Sequence, residues 1–420
     1  MRTELEASLG DHSIYHARRS EFDTGERIPF RVSPRPLELS ASQKKELAGI
    51  GADTTAYYMA VDRLYRSDER VRDLLDTGKP EMFTGDHAAQ YLFIRPDLII
   101  TPQGFSLCEV ETSPFGLALA EVLNHGYSSV GFDTLVDTAT LPEYVHANTP
   151  VDGRIIYSTK TQAYAGQMSF LAEQVFSGPG RNWQAYSTNE PCDTDSSPIY
   201  RGFYLSEALT DPNVRLLLDN QMQQGQPLLP SPTPHLEEKA NLAFIWDRRF
   251  DAYFKKELGP GAVTHLRHVI PPSWIVGQEE FFMPGLPDGI SSSVGLATLA
   301  KSKRAFVLKH SGFGEHSSWA EGVTFLHDKS VMNAQSALID SHRDTSALHI
   351  IQEFKKGMKV PMQYIDLDGA YTDMMAKVRL TPYYSFVPGQ EGKLIAVKAT
   401  GCENTDFIHA SSTSINTAVS

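Results

Sequence analysis

Residues 95–114 read RPDLIITPQGFSLCEVETSP. Two runs of alternating side chains flank Pro102–Gln103–Gly104, a turn composition, and together they predict a β-hairpin. With Thr101 opposite Phe105, the register sets Ile99 against Leu107, Asp97 against Glu109 and Arg95 against Glu111. All lie on one face, because side chains alternate with period two, and that face runs from apolar to acidic. Like charges directly across a strand pair are destabilising, so Asp97 opposite Glu109 calls for a compensating cation. A hard divalent ion such as Mg²⁺ takes one or two carboxylates, and substrate phosphate oxygens complete its octahedron. Arg95, one row further on, offers a fixed fork of donors to a phosphate. The plainer alternative is a surface hairpin whose charges are merely solvated.

The chain around this hairpin has 420 residues, 41% hydrophobic and 21% charged, enough for two or three packed subdomains. A net charge of −13, spread along the chain, argues against a nucleic-acid binder, which would show a basic face. Cys108, Cys192 and Cys402 are far apart and form no CxxC pair, so no disulfide framework or zinc site is expected. The first residues, MRTELEASLGDHSIYH, have no apolar core and do not read as a signal peptide. With no long apolar run for a membrane span, a cytoplasmic protein is expected, and a homodimer is one possible state.

A Pro-rich lead-in, PFRVSPRPLELS, precedes a helix predicted over Ala41–Thr77 with Ser40 as N-cap. In that helix Leu47, Ile50, Tyr57, Val61 and Leu64 recur at helical spacing. Leu117–Asn124 reads as a helix packing back on the hairpin. Next, Gly153–Thr159, Gln162–Phe176 and Trp183–Ser187 read strand, helix, strand, a small parallel α/β unit. Leu205–Leu209, Val214–Asn220 and Leu236–Leu258 read helical. From residue 300 strands dominate: Arg304–His310, Leu348–Phe354, Tyr371–Leu380 and Leu394–Ala399. The division expected is residues 1–150, helical region and acidic hairpin; 151–230, the parallel α/β unit; and 231–420, the remainder with its late strands.

Four further segments can carry chemistry. Strand Arg304–His310 ends in Lys309 and opens into Ser311-Gly-Phe-Gly314, where backbone N–H groups and a lysine can surround phosphates, with Gly312 and Gly314 allowing close approach. Neither a GxxxxGK[ST] loop nor GxGxxG is present, and a plain turn is the alternative. Gln352-Glu353-Phe354 ends an apolar strand and suits an adenine slot with Phe354 or Ile351 on the base face; a core strand leaving its sheet reads the same way. Lys377 and Arg379 share one strand face and invite an anion, unless both are rim charges. Lys239 follows two glutamates on a predicted helix, by default a solvated face. His265 and His268 lack the partners of a zinc site and read as structural.

Taken together and in order, these segments resemble the circularly permuted ATP-grasp ligases of the glutathionylspermidine synthetase-like group, over residues 90–420. The R-x-D then E-x-N hairpin of that group matches Arg95, Asp97 and Glu109, with Glu111 standing where the family has Asn. Tyr200-Arg201 resembles its Y-R element. Lys239 matches the first ATP lysine of the segment ending N-K-A (Glu238 replaces its Asn), and Pro271-Pro-Ser-Trp274 its P-P-T-W element. Lys309 with Ser311, Gly312, Phe313 and Gly314 matches the second lysine and glycine loop, and Gln352, Glu353 and Phe354 its Q-E-F hinge. Lys377 and Arg379 match the basic strand, and Phe407–Ser411 the closing segment.

The resemblance implies an α/β (α+β) fold in which two β-rich lobes clasp ATP, with a small parallel α/β subdomain beside them. It implies ATP and Mg²⁺ (or Mn²⁺ in its place) held on Asp97, Glu109 and Glu111, with Lys239, Lys309, Arg95 and Arg379 neutralising the phosphoryl oxygens. The reaction implied joins a small-molecule carboxylate to an amine through an acylphosphate, with Thr112, Ser113 and Arg201 toward the substrates. Two other readings stay open: a kinase acting on a hydroxyl, and a nucleotide-binding scaffold that has lost catalysis, which the Glu111 change and the short glycine loop would favour.

Overall fold

The computed structural model describes residues 30–84, 90–190, 197–225, 227–277, 290, 292–314, 322–366, 368–409 and 413–420. Among the described residues, fifteen strands follow one another: β1 (Arg31–Val32), β2 (Phe93–Thr101), β3 (Gly104–Glu111), β4 (Asp152–Tyr157), β5 (Asn182–Ser187), β6 (Ile199–Gly202), β7 (Leu228–Leu229), β8 (Ser273–Ile275), β9 (Phe306–His310), β10 (Val323–Phe325), β11 (His349–Glu353), β12 (Lys359–Ile365), β13 (Tyr371–Ser385), β14 (Leu394–Glu403) and β15 (Ile415–Thr417).

They form three sheets. The largest runs β12-β1-β15-β14-β13-β2-β3, and β12 also pairs with β13, so five strands close a ring from which the β2–β3 hairpin extends. The long β13 makes both possible: residues from Tyr371 to Lys377 pair with β12, and residues from Arg379 to Ser385 pair with β2. A four-stranded antiparallel sheet runs β10-β9-β11-β8, and a four-stranded parallel sheet runs β5-β4-β6-β7. Strands from both ends of the chain therefore build one sheet. The Pro-rich lead-in is part of it: β1 pairs in parallel with β15, and Leu37 bridges Val419.

The hairpin keeps the expected acidic register but reaches it differently. Arg95 faces Glu111 and Asp97 faces Glu109 as expected. Nearer the turn, Thr101 pairs with Gly104 rather than Phe105, and Ile99 with Ser106 rather than Leu107. The loop is two residues, with Gly104 at φ +114°, a conformation that costs glycine little. The displaced residue is taken up by a bulge at Cys108, where the register shifts between Asp97 and Leu98. Leu107 is thereby turned into the core, fully buried, and Ser106 takes its place on the functional face.

Helix Ala41–Ser67 starts where expected. Ser40 Oγ accepts from Gln43 N–H (3.3 Å), and Gln43 Oε1 accepts from Ser40 N–H (2.9 Å), a reciprocal cap. Asp68 ends it and caps a separate helix, Glu69–Leu75, so the expected single helix is two. Leu47, Ile50, Tyr57, Val61 and Leu64 all face the core. The parallel unit forms as read, the helical run continuing through Ala165–Phe170 into a π turn, Leu171–Phe176. The helix expected over Leu236–Leu258 is instead broken into the short turns Pro234–Leu236, Asn241–Phe244 and Arg248–Phe250 before helix Asp251–Val269. Tertiary contacts overrule periodicity there: Leu236, Leu242, Phe244 and Ile245 are buried on more than one side. No described helix is long and apolar enough to cross a membrane.

Candidate functional site

One cavity of about 500 Å³ lies where the three sheets meet. Its floor is a single face of the large sheet. Because side chains alternate, Lys377, Arg379, Thr381 and Tyr383 of β13 all point into it, alongside Arg95, Asp97 and Ile99 of β2 and Lys398 of β14. The opposite wall is the β9–β10–β11 sheet, contributing Lys309, His310, Phe325, Gln352 and Glu353. Tyr164, Gln167 and Tyr204 close the side toward the parallel sheet.

Charge is paired tightly across this space. Asp97 lies between Arg95 Nε (3.2 Å) and Arg379 Nη1 (3.0 Å). Arg95 also grips Glu111 Oε1 at 2.6 Å and donates to the Phe115 carbonyl at 2.8 Å. Lys239 Nζ is 3.0 Å from Glu109 Oε1 and donates to Ser311 O at 3.1 Å. Lys309 Nζ, on the other sheet, donates to Cys108 O (2.5 Å) and Gln352 Oε1 (2.7 Å). The Cys108 bulge thus lends a carbonyl, freed from the strand ladder, to a lysine from a different lobe.

Burial and these partners set the protonation. Burial would raise the Asp97 carboxyl, but the guanidiniums of Arg379 and Arg95 outweigh it and hold it below the usual carboxylate range. Burial likewise opposes the charge on Glu109, and Lys239 holds that carboxyl low. Burial pushes Glu111 up to about 7, against Arg95 and with repulsion from Glu109 and Asp97. Glu111 is thus held higher than Asp97 and Glu109, whose cationic partners keep them low. Burial lowers the Lys309 ammonium, and lowers Lys398 to about 7 with repulsion from Arg379 and Arg95.

The residues singled out in the sequence divide by position. Arg95, Asp97, Glu109, Glu111, Thr112, Ser113, Lys239, Lys309, Gly312, Gln352, Glu353, Phe354, Lys377 and Arg379 all line the cavity. Lys377 pairs with Asp406 there. Arg201 does not line it: its fully buried guanidinium is spent on Phe203 O, Pro230 O and Glu237, and Glu237 is the residue that reaches the cavity. Ser311 and Phe313 turn into the wall, Ser311 Oγ accepting from Ala240 N–H (2.8 Å) and Phe313 packing on Phe83. At Gly312 a Cβ would come within 2.7 Å of Glu237 O, so this glycine is required by its packing on the Glu237–Glu238 backbone rather than by approach to a phosphate. Gly314 ends the described part of that loop, and Ser411 of the closing segment lies outside the described residues.

Of the two base-face alternatives, Ile351 is fully buried in the core of the β9–β11 sheet, while Phe354 faces the cavity beside Phe325 (5.6 Å between rings) and His327 (4.7 Å). The Glu353 and Phe354 N–H groups are already donated to Pro272 O and Ala305 O. Sequence reasoning missed Lys398, Thr381 and Tyr383. For Thr381 and Tyr383 the signal was a polar-tipped side chain at every second position of KVRLTPY, residues 377–383, and for Lys398 a lysine inside the apolar run LIAVKAT. Among the described residues, five buried polar atoms of cavity-lining side chains have no hydrogen-bond partner: Arg379 Nε, Thr381 Oγ1, Thr112 Oγ1, His310 Nδ1 and Gln167 Oε1. Such groups normally find partners, and here three are donors or hydroxyls suited to an anion or a polar ligand.

No family model matches the chain, and no curated protein matches it. Among solved structures it is similar to a glutathione synthetase-like effector from Globodera pallida in the apo form, with a TM-score of 0.50 and 11% identity over 100% of this chain and 97% of that one. At that identity the likeness shows the fold alone: a mixed α/β, glutathione synthetase-like architecture with several sheets.

Proposed function

We propose that the chain is an ATP-dependent carboxylate–amine ligase of the ATP-grasp type, in the circularly permuted order, acting on amino-acid or small-peptide substrates. One observation carries this reading. Asp97, Glu109, Lys239, Lys309 and Arg379 come from four separated segments, yet all face one cavity between two β-rich walls.

The donors fit the groups this reaction needs. Asp97, Glu109 and Glu111 supply hard carboxylate oxygens, the set that Mg²⁺ takes, and their present partners are cationic side chains that phosphate oxygens can also engage. Bound there, the ion would neutralise phosphate charge and align the γ-phosphoryl group. Lys309, Lys239 and Arg379 stand where negative charge grows as a substrate carboxylate attacks that group, and stabilising it is the main catalytic task in phosphoryl transfer. Phe354 and Phe325 offer an apolar slot for the base. The acylphosphate then meets an amine, and the enclosing walls restrict water, so proximity does the rest without a dedicated acid or base.

Titration calorimetry with Mg-ATP, followed by ADP and phosphate release over a panel of amino acids and peptides, tests the proposal. Release that requires both a carboxylate and an amine supports it. Release with an alcohol alone indicates a kinase, and binding without turnover a scaffold. A scaffold is also the reading to which Glu111 points, since it occupies the Arg95 fork at 2.6 Å. Absence of Mg-ATP binding removes the site.

A further inference from the structure

At the cavity wall, His310 and, behind it, His349 occupy directly paired positions on neighbouring antiparallel strands β9 and β11. Their rings meet edge to face with centroids 5.0 Å apart. Asp344, at the end of helix Val331–Arg343, completes the group: His349 Nε2–H donates to Asp344 Oδ2 at 2.8 Å. One ligand atom from each of the three residues lies within 4.8 Å of the others, and all three side chains are half-buried. The second Asp344 oxygen is oriented by Ser346, whose N–H (2.9 Å) and hydroxyl (2.6 Å) both donate to it. His310 Nδ1, meanwhile, is buried with no partner among the described residues. None of these residues belongs to the carboxylate cluster on β2 and β3.

We propose that His310, Asp344 and His349 form a second metal site, taking Zn²⁺ or a similar late first-row divalent ion. Two imidazoles and one carboxylate are a borderline-soft donor set that suits Zn²⁺ and is poor for Mg²⁺, which selects oxygen. Three protein ligands leave a fourth position for water or a cavity ligand. The Ser346 donors act on the carboxylate as outer partners do in such sites, holding it in place for the ion. On binding, the ion takes the place of the proton between His349 Nε2 and Asp344 Oδ2, and the neutral imidazole carries that proton on Nδ1 instead. Cross-strand imidazoles at the end of β9 and the start of β11 would then clamp the base of the loop that opens at Ser311. The site does not depend on the ligase reading.

The test uses the untagged full chain, stripped with chelator and dialysed against a small excess of Zn²⁺, with bound metal counted by mass spectrometry. Co²⁺ in place of Zn²⁺ supplies a ligand-field spectrum. One equivalent of Zn²⁺ and a low-symmetry, four- or five-coordinate Co²⁺ spectrum are expected. His349→Ala should abolish both, and Ser346→Ala should weaken affinity about 10- to 100-fold. Zn²⁺ addition should raise the melting temperature of the wild type and leave that of His349→Ala unchanged, which separates ligand loss from misfolding. Glu109→Gln should keep the Zn²⁺. No stoichiometric Zn²⁺, or Zn²⁺ retained in His349→Ala and lost in Glu109→Gln, would overturn the proposal.

Discussion

Lys309→Met tests the meeting of the two lobes most directly, because it keeps the aliphatic stem and removes only the ammonium. Lys309 Nζ is buried and has three N–H donors, of which two go to Cys108 O at 2.5 Å and Gln352 Oε1 at 2.7 Å. The third remains for a ligand in the cavity. A hydrogen bond to a charged group contributes ~1.5–3 kcal/mol. Losing it from bound nucleotide weakens Mg-ATP binding about 10- to 150-fold. The fold suffers less: two buried acceptors lose a donor at about 1–3 kcal/mol each, offset by no longer burying a lysine whose charged form burial already disfavours. A net loss of about 1–3 kcal/mol is expected in urea denaturation. Calorimetric titration with Mg-ATP measures the first effect. Gln352, which also donates to Ser273 Oγ at 3.0 Å, is placed to aim the lysine. Gln352→Met should therefore couple to Lys309→Met by ~0.5–3 kcal/mol in a double-mutant cycle on binding. Affinity within about twofold of wild type in Lys309→Met would refute the reasoning.

Three other outcomes are expected. Glu109→Gln should eliminate nucleotide turnover with an unchanged circular dichroism spectrum, because it removes a carboxylate facing Asp97 while keeping the shape; undiminished phosphate release would take the hairpin out of the mechanism. Arg201→Met should destabilise the fold by about 3 kcal/mol, since it leaves Glu237 beside the cavity without its buried partner, and a calorimetric melt measures the loss. His265→Gln reports a pH-dependent link between helices Ala41–Ser67 and Asp251–Val269. The Asp53 carboxylate, 2.6 Å from His265 Nδ1, raises that imidazole above its ordinary value near 6.5. A raised folded pKa means the stabilisation is full below the unfolded pKa and is lost as pH climbs through the folded one. The urea midpoints of wild type and His265→Gln should differ more at about pH 5.5 than at about pH 8.5, and an equal gap at both would contradict the assignment.

How much of this was legible beforehand follows from how local each signal is. Asp97 opposite Glu109 and Arg95 opposite Glu111 could be read from residues 95–111, because hairpin pairing is dictated by neighbours in sequence. The same reading placed the turn one residue wrong, since the Cys108 bulge compensates and leaves the acidic rows unmoved. Ser40 as cap and the 152–187 parallel unit were equally local. Leu236–Leu258 misled because Glu238–Ile245 are buried at every position, polar ones included, so burial there does not follow the single stripe that marks a helix.

The sequence by itself determined the order of the candidate site residues and the alternation that puts Lys377 and Arg379 on one face. Only the tertiary structure decided what those residues touch. It brought Lys309 to a carbonyl some two hundred positions earlier, added Lys398, Thr381 and Tyr383 to the floor, and turned Arg201 away into a buried pair with Glu237. It also set His310 against His349 and Asp344. The physical reason is that alternation and capping are properties of a few consecutive residues, whereas a cavity's charge balance depends on which distant strands share a sheet.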